Sequence, residues 1–268
     1  MKNLFNPKYY ILPLIAFSSL FFTACEEEDD EPLIETRIVE ESVPRYQASI
    51  NFKEKVNGND LQMNTNNKPY TNAAGQSFNV TRLRYLISDI KFQKADGSSF
   101  TIQGYHFVDA TDPADDTYMP DAKVPAGDYE KISFTFGFDR EDNVSNAYPA
   151  LNIANWAWPG MLGGGYHFMQ LEGDYDSLGT SKFFATHMGT ARNNTVSPTT
   201  YEANHFEAVL DTAISIDGDF SFSIVMNVEQ WYEDPYQWDF NVYNAPIMPV
   251  YDAQRKLFIN GPSVFTFE

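Results

Sequence analysis

The stretch GMLGGGYHFMQLEGDYDSLGTSKFFATHMGT, Gly160 to Thr190, decides how this chain is read. It carries two of the four histidines of the 268-residue sequence, His167 and His187. A glycine run leads into Tyr166–Glu172, which Gly173 ends, and a second apolar run, Lys182–Met188, ends at Gly189; both have the length and residue types of strands. GDYDSLGTS between them is turn chemistry rather than a crossover helix, so the pair predicts an antiparallel hairpin. Centred near Ser177, that hairpin sets His187 opposite His167, Ala185 opposite Met169 and Phe183 opposite Leu171. Positions two apart share a face, and directly opposed β-carbons lie about 4.5–5.5 Å apart. The register therefore predicts two imidazoles able to share one metal ion, and a slip of one residue would send one of them to the other face.

Outward from the hairpin the chain reads as strands. Tyr46–Val56 alternates around Ile50 and Phe52. Asn79–Gln93 is long, with Leu83, Tyr85, Ile87, Asp89 and Lys91 on one face and Leu86, Ser88, Ile90 and Phe92 on the other. Asp96-Gly97 is a hairpin signal before Phe100–Asp109. Lys131–Phe138 puts Ile132, Phe134, Phe136 and Phe138 on one side. Tyr201–Ile216 and Phe220–Val228 continue the alternation, and Ser263–Phe267 closes it. Ala245–Asn260 has helical spacing with a stop at Asn260-Gly261. The segment Asp139–Pro159, long for a connection and bearing Trp156 and Trp158, has the length of a functional loop. The expected fold is all-β: a single antiparallel β-sandwich domain over 46–268, with a long loop before the central hairpin and a short C-terminal helix.

Residues 1–24 have the form of an export signal: Lys2 and Lys8, then an apolar core from Tyr9 to Phe22 that is too short to span a membrane stably. The segment ends Leu20-Phe21-Phe22-Thr23-Ala24-Cys25, which resembles a bacterial lipobox, and Cys25 is the single cysteine of the chain. A lipidated Cys25 would anchor the protein to the outer membrane and leave no thiol for a disulfide. Glu26–Glu31 is a block of six acids, a solvated tether over 25–45; its placement also resembles the surface-export signal of Bacteroidota lipoproteins. Both features predict an outer-membrane lipoprotein, at the cell surface or on the periplasmic face.

Removing a leader with two lysines and no acids takes the formal charge from −19 to −21. Such a surface disfavours nucleic acid and suits cations. The chain carries no nucleophile elbow, metalloprotease helix, phosphate loop or dinucleotide fingerprint, so the expectation is a binding protein and not an enzyme. His106 and His205, each beside an aromatic on an alternating strand, read as surface or hydrogen-bonded histidines. The acid-rich loops Asp112–Asp121 and Asp139–Asn143 lack the spacing of a calcium loop.

The segments NKPYTNAAGQSFNVTRLRYLISDIKFQKADG (67–97), VPAGDYEKISFTFGFDREDN (124–143), WPGMLGGGYHFMQLEGDY (158–175), FFATHMGT (183–190) and INGPSVFTFE (259–268), in this order, resemble the MbnP-like family of extracytoplasmic copper-binding proteins, related to the methanotroph copper protein MopE. The resemblance implies a β-sandwich holding monovalent copper, Cu(I), through two histidines, which fall on His167 and His187. It also implies an oxidised tryptophan, kynurenine, for which Trp158 of Trp156-Ala157-Trp158 is the candidate, and hence a dihaem peroxidase partner. Here a glycine-rich insertion separates that W-x-W from Tyr166, a departure from the family pattern. Cu(I) tolerates low coordination and soft donors, so Met169, Met161 and Met188 are the other candidate third ligands, Met169 sharing the histidines' face in the expected register. The competing reading is a surface glycan- or protein-binding module. In it Trp156, Trp158, Trp231, Tyr232, Tyr236 and Trp238 form an aromatic platform and the histidines are incidental.

Overall fold

Runs in which every second residue is large and apolar form β1 (Ala48–Val56), β2 (Arg82–Gln93), β3 (Ser99–Asp109), β4 (Lys131–Phe136), β5 (Met169–Ser177), β6 (Thr180–Met188), β7 (Phe206–Leu210), β8 (Phe220–Asn227) and β9 (Phe265–Phe267) in a computed structural model. The structure describes residues 42–268. The expected leader, Cys25 and the acid run lie outside the described residues. Two helices, α1 (Pro149–Ile153) and α2 (Tyr251–Asn260), complete the main elements.

The larger sheet is built on β2. One edge of β2 carries β3; the other carries β5 along Arg82–Tyr85 and β4 along Ile87–Gln93. β6 extends the sheet from β5, and β7 extends it from β4. The second sheet holds β1 against β8, with β9 on the far side of β8. Among these nine strands every ladder is antiparallel except β1 with β8, which is parallel.

The sheets are joined by aromatic side chains meeting edge to face, the arrangement that ring quadrupoles favour. Phe92 meets Phe220 and Phe222 at 6.0 and 6.1 Å, Phe134 meets Phe265 at 5.0 Å, and Phe52 meets Tyr85 at 6.4 Å. This is the β-sandwich expected from the strand pattern, and with no cysteine inside it the apolar core carries the stability.

Three local expectations are corrected. The face assignment in β2 holds only up to Ser88: Asp89 takes a left-handed backbone (φ 52°) at a bulge, after which Ile90 and Phe92 turn to the core instead of Lys91. The run Tyr201–Ile216 is not one strand but three, Thr200–Glu202, Phe206–Leu210 and Ile214–Ile216. It breaks where Asn204 turns inward, fully buried, to donate its amide to the Gln254 carbonyl. The C-terminal helix starts at Tyr251 and not Ala245, because Pro246 and Pro249 withhold the backbone donors that an earlier turn would need.

The inner faces of β5 and β6 present Met169, Leu171, Tyr175, Phe184 and Met188 to the core. Their outer face carries Gln170, Glu172, Ala185 and His187, and the Asp139–Pro159 loop with α1 leads to its cover. The glycine run Gly163-Gly164-Gly165 returns the chain from that cover to β5, all three residues at positive φ, a path that L side chains resist.

Candidate metal centre

β5 and β6 zip up completely, from Met169 opposite Met188 to Ser177 opposite Thr180, around a two-residue turn of Leu178 and Gly179. Both turn residues have positive φ, 54° and 84°, the backbone of the tight turns that match strand twist. The expected register, centred on Ser177, is therefore wrong. His187 stands opposite Gln170, Ala185 opposite Glu172, and Phe183 opposite Asp174. In this register an extended strand would send position 167 to the core side, away from His187.

The two imidazoles nonetheless meet: their ring centroids lie 5.3 Å apart with planes at 79°. His167 is not in the ladder. The chain bends at Phe168, whose N–H donates to the Met188 carbonyl (2.7 Å) and whose carbonyl accepts from Leu86 (3.0 Å). His167 N–H donates to the Trp156 carbonyl at 2.9 Å, and Tyr166 bridges Ala157. The backbone of His167 thus belongs to the tryptophan loop, and strand alternation stops constraining its side chain. Proximity survives for a reason different from the expected one.

Each ring is held by one nitrogen. His167 Nδ1 lies 3.1 Å from the Trp156 carbonyl, an acceptor only, so Nδ1 carries the proton and Nε2 the lone pair. His187 Nε2 lies 2.8 Å from Glu172 Oε1, which leaves Nδ1 with the lone pair. Carboxylate–imidazole and carbonyl–imidazole contacts of this kind orient metal-binding histidines. Glu172 is itself gripped by Arg82 at 2.9 Å. The His187 hydrogen bond, with the Arg82 charge beside it, holds the Glu172 carboxyl below its ordinary range. Burial, reinforced by neighbouring His187, pushes the His167 pKa down to about 4, so this ring is neutral at pH 7. Gln254 of α2 fixes the other end of β6, donating to the His187 carbonyl (2.8 Å) and accepting from Gly189 N–H (3.3 Å).

Two tryptophans pack on His167: Trp158 at 4.9 Å and 83°, Trp156 at 5.3 Å and 43°. Gly189 lets Trp158 lie against the end of β6, since a β-carbon there would sit 2.5 Å from the indole. The Trp158 N–H reaches two carbonyls, Leu162 at 3.2 Å and Thr190 at 3.1 Å. The Trp156 N–H is buried with no partner. Arg84 lies over the Trp156 ring at 5.3 Å and donates to Gln170 Oε1 at 2.5 Å.

The methionine expectations are corrected. Met169 and Met188 pair with each other and are fully buried in the core, on the opposite face from His187. Met161 is 74% exposed in the turn Gly160–Leu162. The aromatic platform is also absent: Trp156, Trp158, Trp231, Tyr232 and Trp238 are buried, and only Tyr236 of that set is exposed. His106 is stacked between Phe52 and Tyr118 with Nε2 on the Asp115 carbonyl, and His205 lines a cleft with Asp139, Arg140 and Tyr201. The β2 bulge brings Asp89 to Asp139 and Asp142, whose carboxylates lie within 4.8 Å of one another. Arg84, Gln170 and Glu172 escaped the sequence as parts of the centre because the true register alone aligns them with His187.

What the donor set can do is limited and specific. Two imidazoles, each with one lone pair free and the other nitrogen anchored, make a two-point nitrogen site between the two tryptophans and Glu172. No third histidine, cysteine or carboxylate joins them within ligand distance of one another among the described residues, so the set falls short of the closed tetrahedron that structural zinc asks for.

Three comparisons bear on identity. No curated protein matches the chain. A solved structure, MbnP from Methylosinus trichosporium, aligns over 74% of this chain and 80% of its own with a TM-score of 0.50 at 16% identity, a likeness of fold. Residues 45–249, which contain β1 to β8 and both histidines of the centre, match the MbnP family, and the chain belongs to that family.

Proposed function

We propose that the protein is a lipid-anchored, extracytoplasmic Cu(I)-binding protein that captures, stores or hands over copper through His167 and His187. The observation that carries this reading is the facing of two imidazoles 5.3 Å apart, each oriented through its remote nitrogen. Membership of a family whose resemblance implied extracytoplasmic copper binding supports it. Imidazole donors at low coordination suit Cu(I) better than zinc or calcium. His167 would bind through Nε2 and His187 through Nδ1. The strand methionines take no part, so a third donor would come from the tryptophan side of the pocket. Trp156, buried without a partner for its N–H, and Trp158 are the groups there; oxidation of either to kynurenine would require a dihaem peroxidase partner. Binding rather than catalysis is the role. The anchor would be the lipid on Cys25, at the outer membrane.

The test is copper stoichiometry and affinity under anaerobic conditions, read against a competing chelator. Wild type is expected to hold one Cu(I) per chain, and His167→Ala and His187→Ala are each expected to lose it while keeping their circular dichroism. Wild-type affinity no greater than that of an unrelated acidic protein overturns the reading. For the anchor, Cys25→Ser should move the protein from the membrane to the soluble fraction.

A further inference from the structure

The true register aligns three residues across neighbouring strands: Arg84 on β2 is opposite Gln170 on β5, and Gln170 is opposite His187 on β6. Opposed residues share a face and lie about 5 Å apart per strand, so Arg84 and His187 stand on one side of the sheet roughly 10 Å apart. The guanidinium is aimed inward along that row. Nη2 donates to Gln170 Oε1, Nη1 lies 3.5 Å from the Ala154 carbonyl, and the group covers Trp156, whose ring is itself 5.3 Å from His167. Arg84 is thus in contact with Trp156, which packs on His167, and with Gln170, the residue opposite His187 in the ladder.

The nearest carboxylates, Asp109 and Glu172, act on Arg84 only at a distance and make their hydrogen bonds elsewhere. Glu172 accepts from His187 and Arg82. Asp109, opposite Arg84 on β3, accepts the Thr111 N–H at 3.1 Å and its hydroxyl at 2.7 Å. Among the described residues no carboxylate lies within ion-pair distance of Arg84, and its Nε is buried without an acceptor. A cation with no ion-paired carboxylate, half covered and close to a metal centre, is a costly arrangement for packing alone, since a neutral side chain would fill the same space.

We propose that Arg84 is the specificity-determining residue of the centre: its positive charge, held in no ion pair, disfavours divalent ions and so selects monovalent copper. This rests on the copper-binding reading above and adds to it a residue that touches no ligand. A unit charge about 10 Å away at an effective dielectric of about 20 acts once on a monovalent ion and twice on a divalent one. The difference corresponds to roughly tenfold in relative affinity. The same charge favours the reduced state of bound copper.

The experiment uses the purified full chain in detergent, with Cu(I) and Zn(II) affinities each measured by chelator competition. The variants are the neutral replacements Arg84→Met and Arg84→Gln and the charge-keeping Arg84→Lys. Both neutral variants should raise the Zn(II)-to-Cu(I) affinity ratio about tenfold and lower the copper midpoint potential by about 60 mV, the one-electron equivalent. Lysine should hold the wild-type ratio. If Met fails to fold by circular dichroism, Gln alone decides. An unchanged ratio in the neutral variants overturns the proposal while leaving copper binding intact, and so does an equal shift in the Lys and neutral variants, which would mark a packing role. A wild-type chain that binds no Cu(I) removes both readings together.

Discussion

His187 and His167 reach the same few ångströms by opposite means. His187 sits inside a nine-residue ladder, one position from its end, with its carbonyl clamped by Gln254 and its ring by Glu172. His167 precedes the ladder at a bend, its backbone and ring both tied to the Trp156 carbonyl. One ligand position is a property of the sheet, and the other is a property of a loop. A centre built this way has a fixed wall and an adjustable one, and the adjustable wall is held in place by tryptophan packing.

The contrast can be broken most forcefully on the loop side. Trp156 is fully buried between Phe107, Arg84 and His167. Trp156→Ala should cost about 3–5 kcal/mol of stability, the usual range for deleting a buried large aromatic, measured by urea unfolding. It should loosen the packing of the His167 ring, whose bond to the residue 156 carbonyl remains, while leaving the His187 resonances in place; equal perturbation of both histidines would show that the two walls are not separable.

The next effect is in pH. The His167 pKa near 4 lies below the ordinary value of about 6.5, so between these values the unfolded chain binds more protons than the folded one. The stability from this group is complete above about pH 6.5 and is lost as pH falls through about 4, amounting to about 3 kcal/mol. Unfolding midpoints at pH 7.5 and 4.5 should therefore diverge in wild type and come closer together in His167→Gln. An identical gap in both would mean that other groups carry the acid sensitivity.

The smallest effect belongs to the fixed wall. Glu172→Ala removes the acceptor that sets the His187 tautomer, and should weaken Cu(I) binding by about tenfold, the lower end of the range for such outer partners. Because the Glu172 side chain is mostly covered and accepts from both His187 and Arg82, unfolding stability should also fall, by about 1–3 kcal/mol. Glu172→Gln, which keeps an acceptor oxygen, should fall between Ala and wild type in affinity.

The sandwich was legible because its period-two patterning and turn residues are strong local signals, and the hairpin and its histidines were legible from the glycines that bracket them. The register was not. Leu178 occupies a left-handed turn position with its side chain fully exposed, where Asn or Asp would have announced a two-residue turn. The loop Asp139–Pro159 stood out by its length, yet nothing in its spacing says that its backbone captures His167. The aromatic platform failed for a related reason. The region around Trp231 to Phe240 has no strand period, and lack of period cannot distinguish a surface loop from one packed beneath a helix; here Asn260 of α2 donates to the Trp231 and Tyr236 carbonyls and holds the segment in. Arg84 illustrates the cost of the register error most directly, since only the correct pairing puts it in line with His187.

Gln254 has a consequence in time as well as in space. Its amide ties the end of β6 to a helix 67 positions further along the sequence, and β1 finds its parallel partner only in β8, 172 positions later along the ladder. A chain emerging from its N-terminus has the hairpin long before it has either tie. The pair of histidines is therefore fixed only after segments far along the sequence have docked, and an ion arriving early would meet two histidines that are not yet held in place.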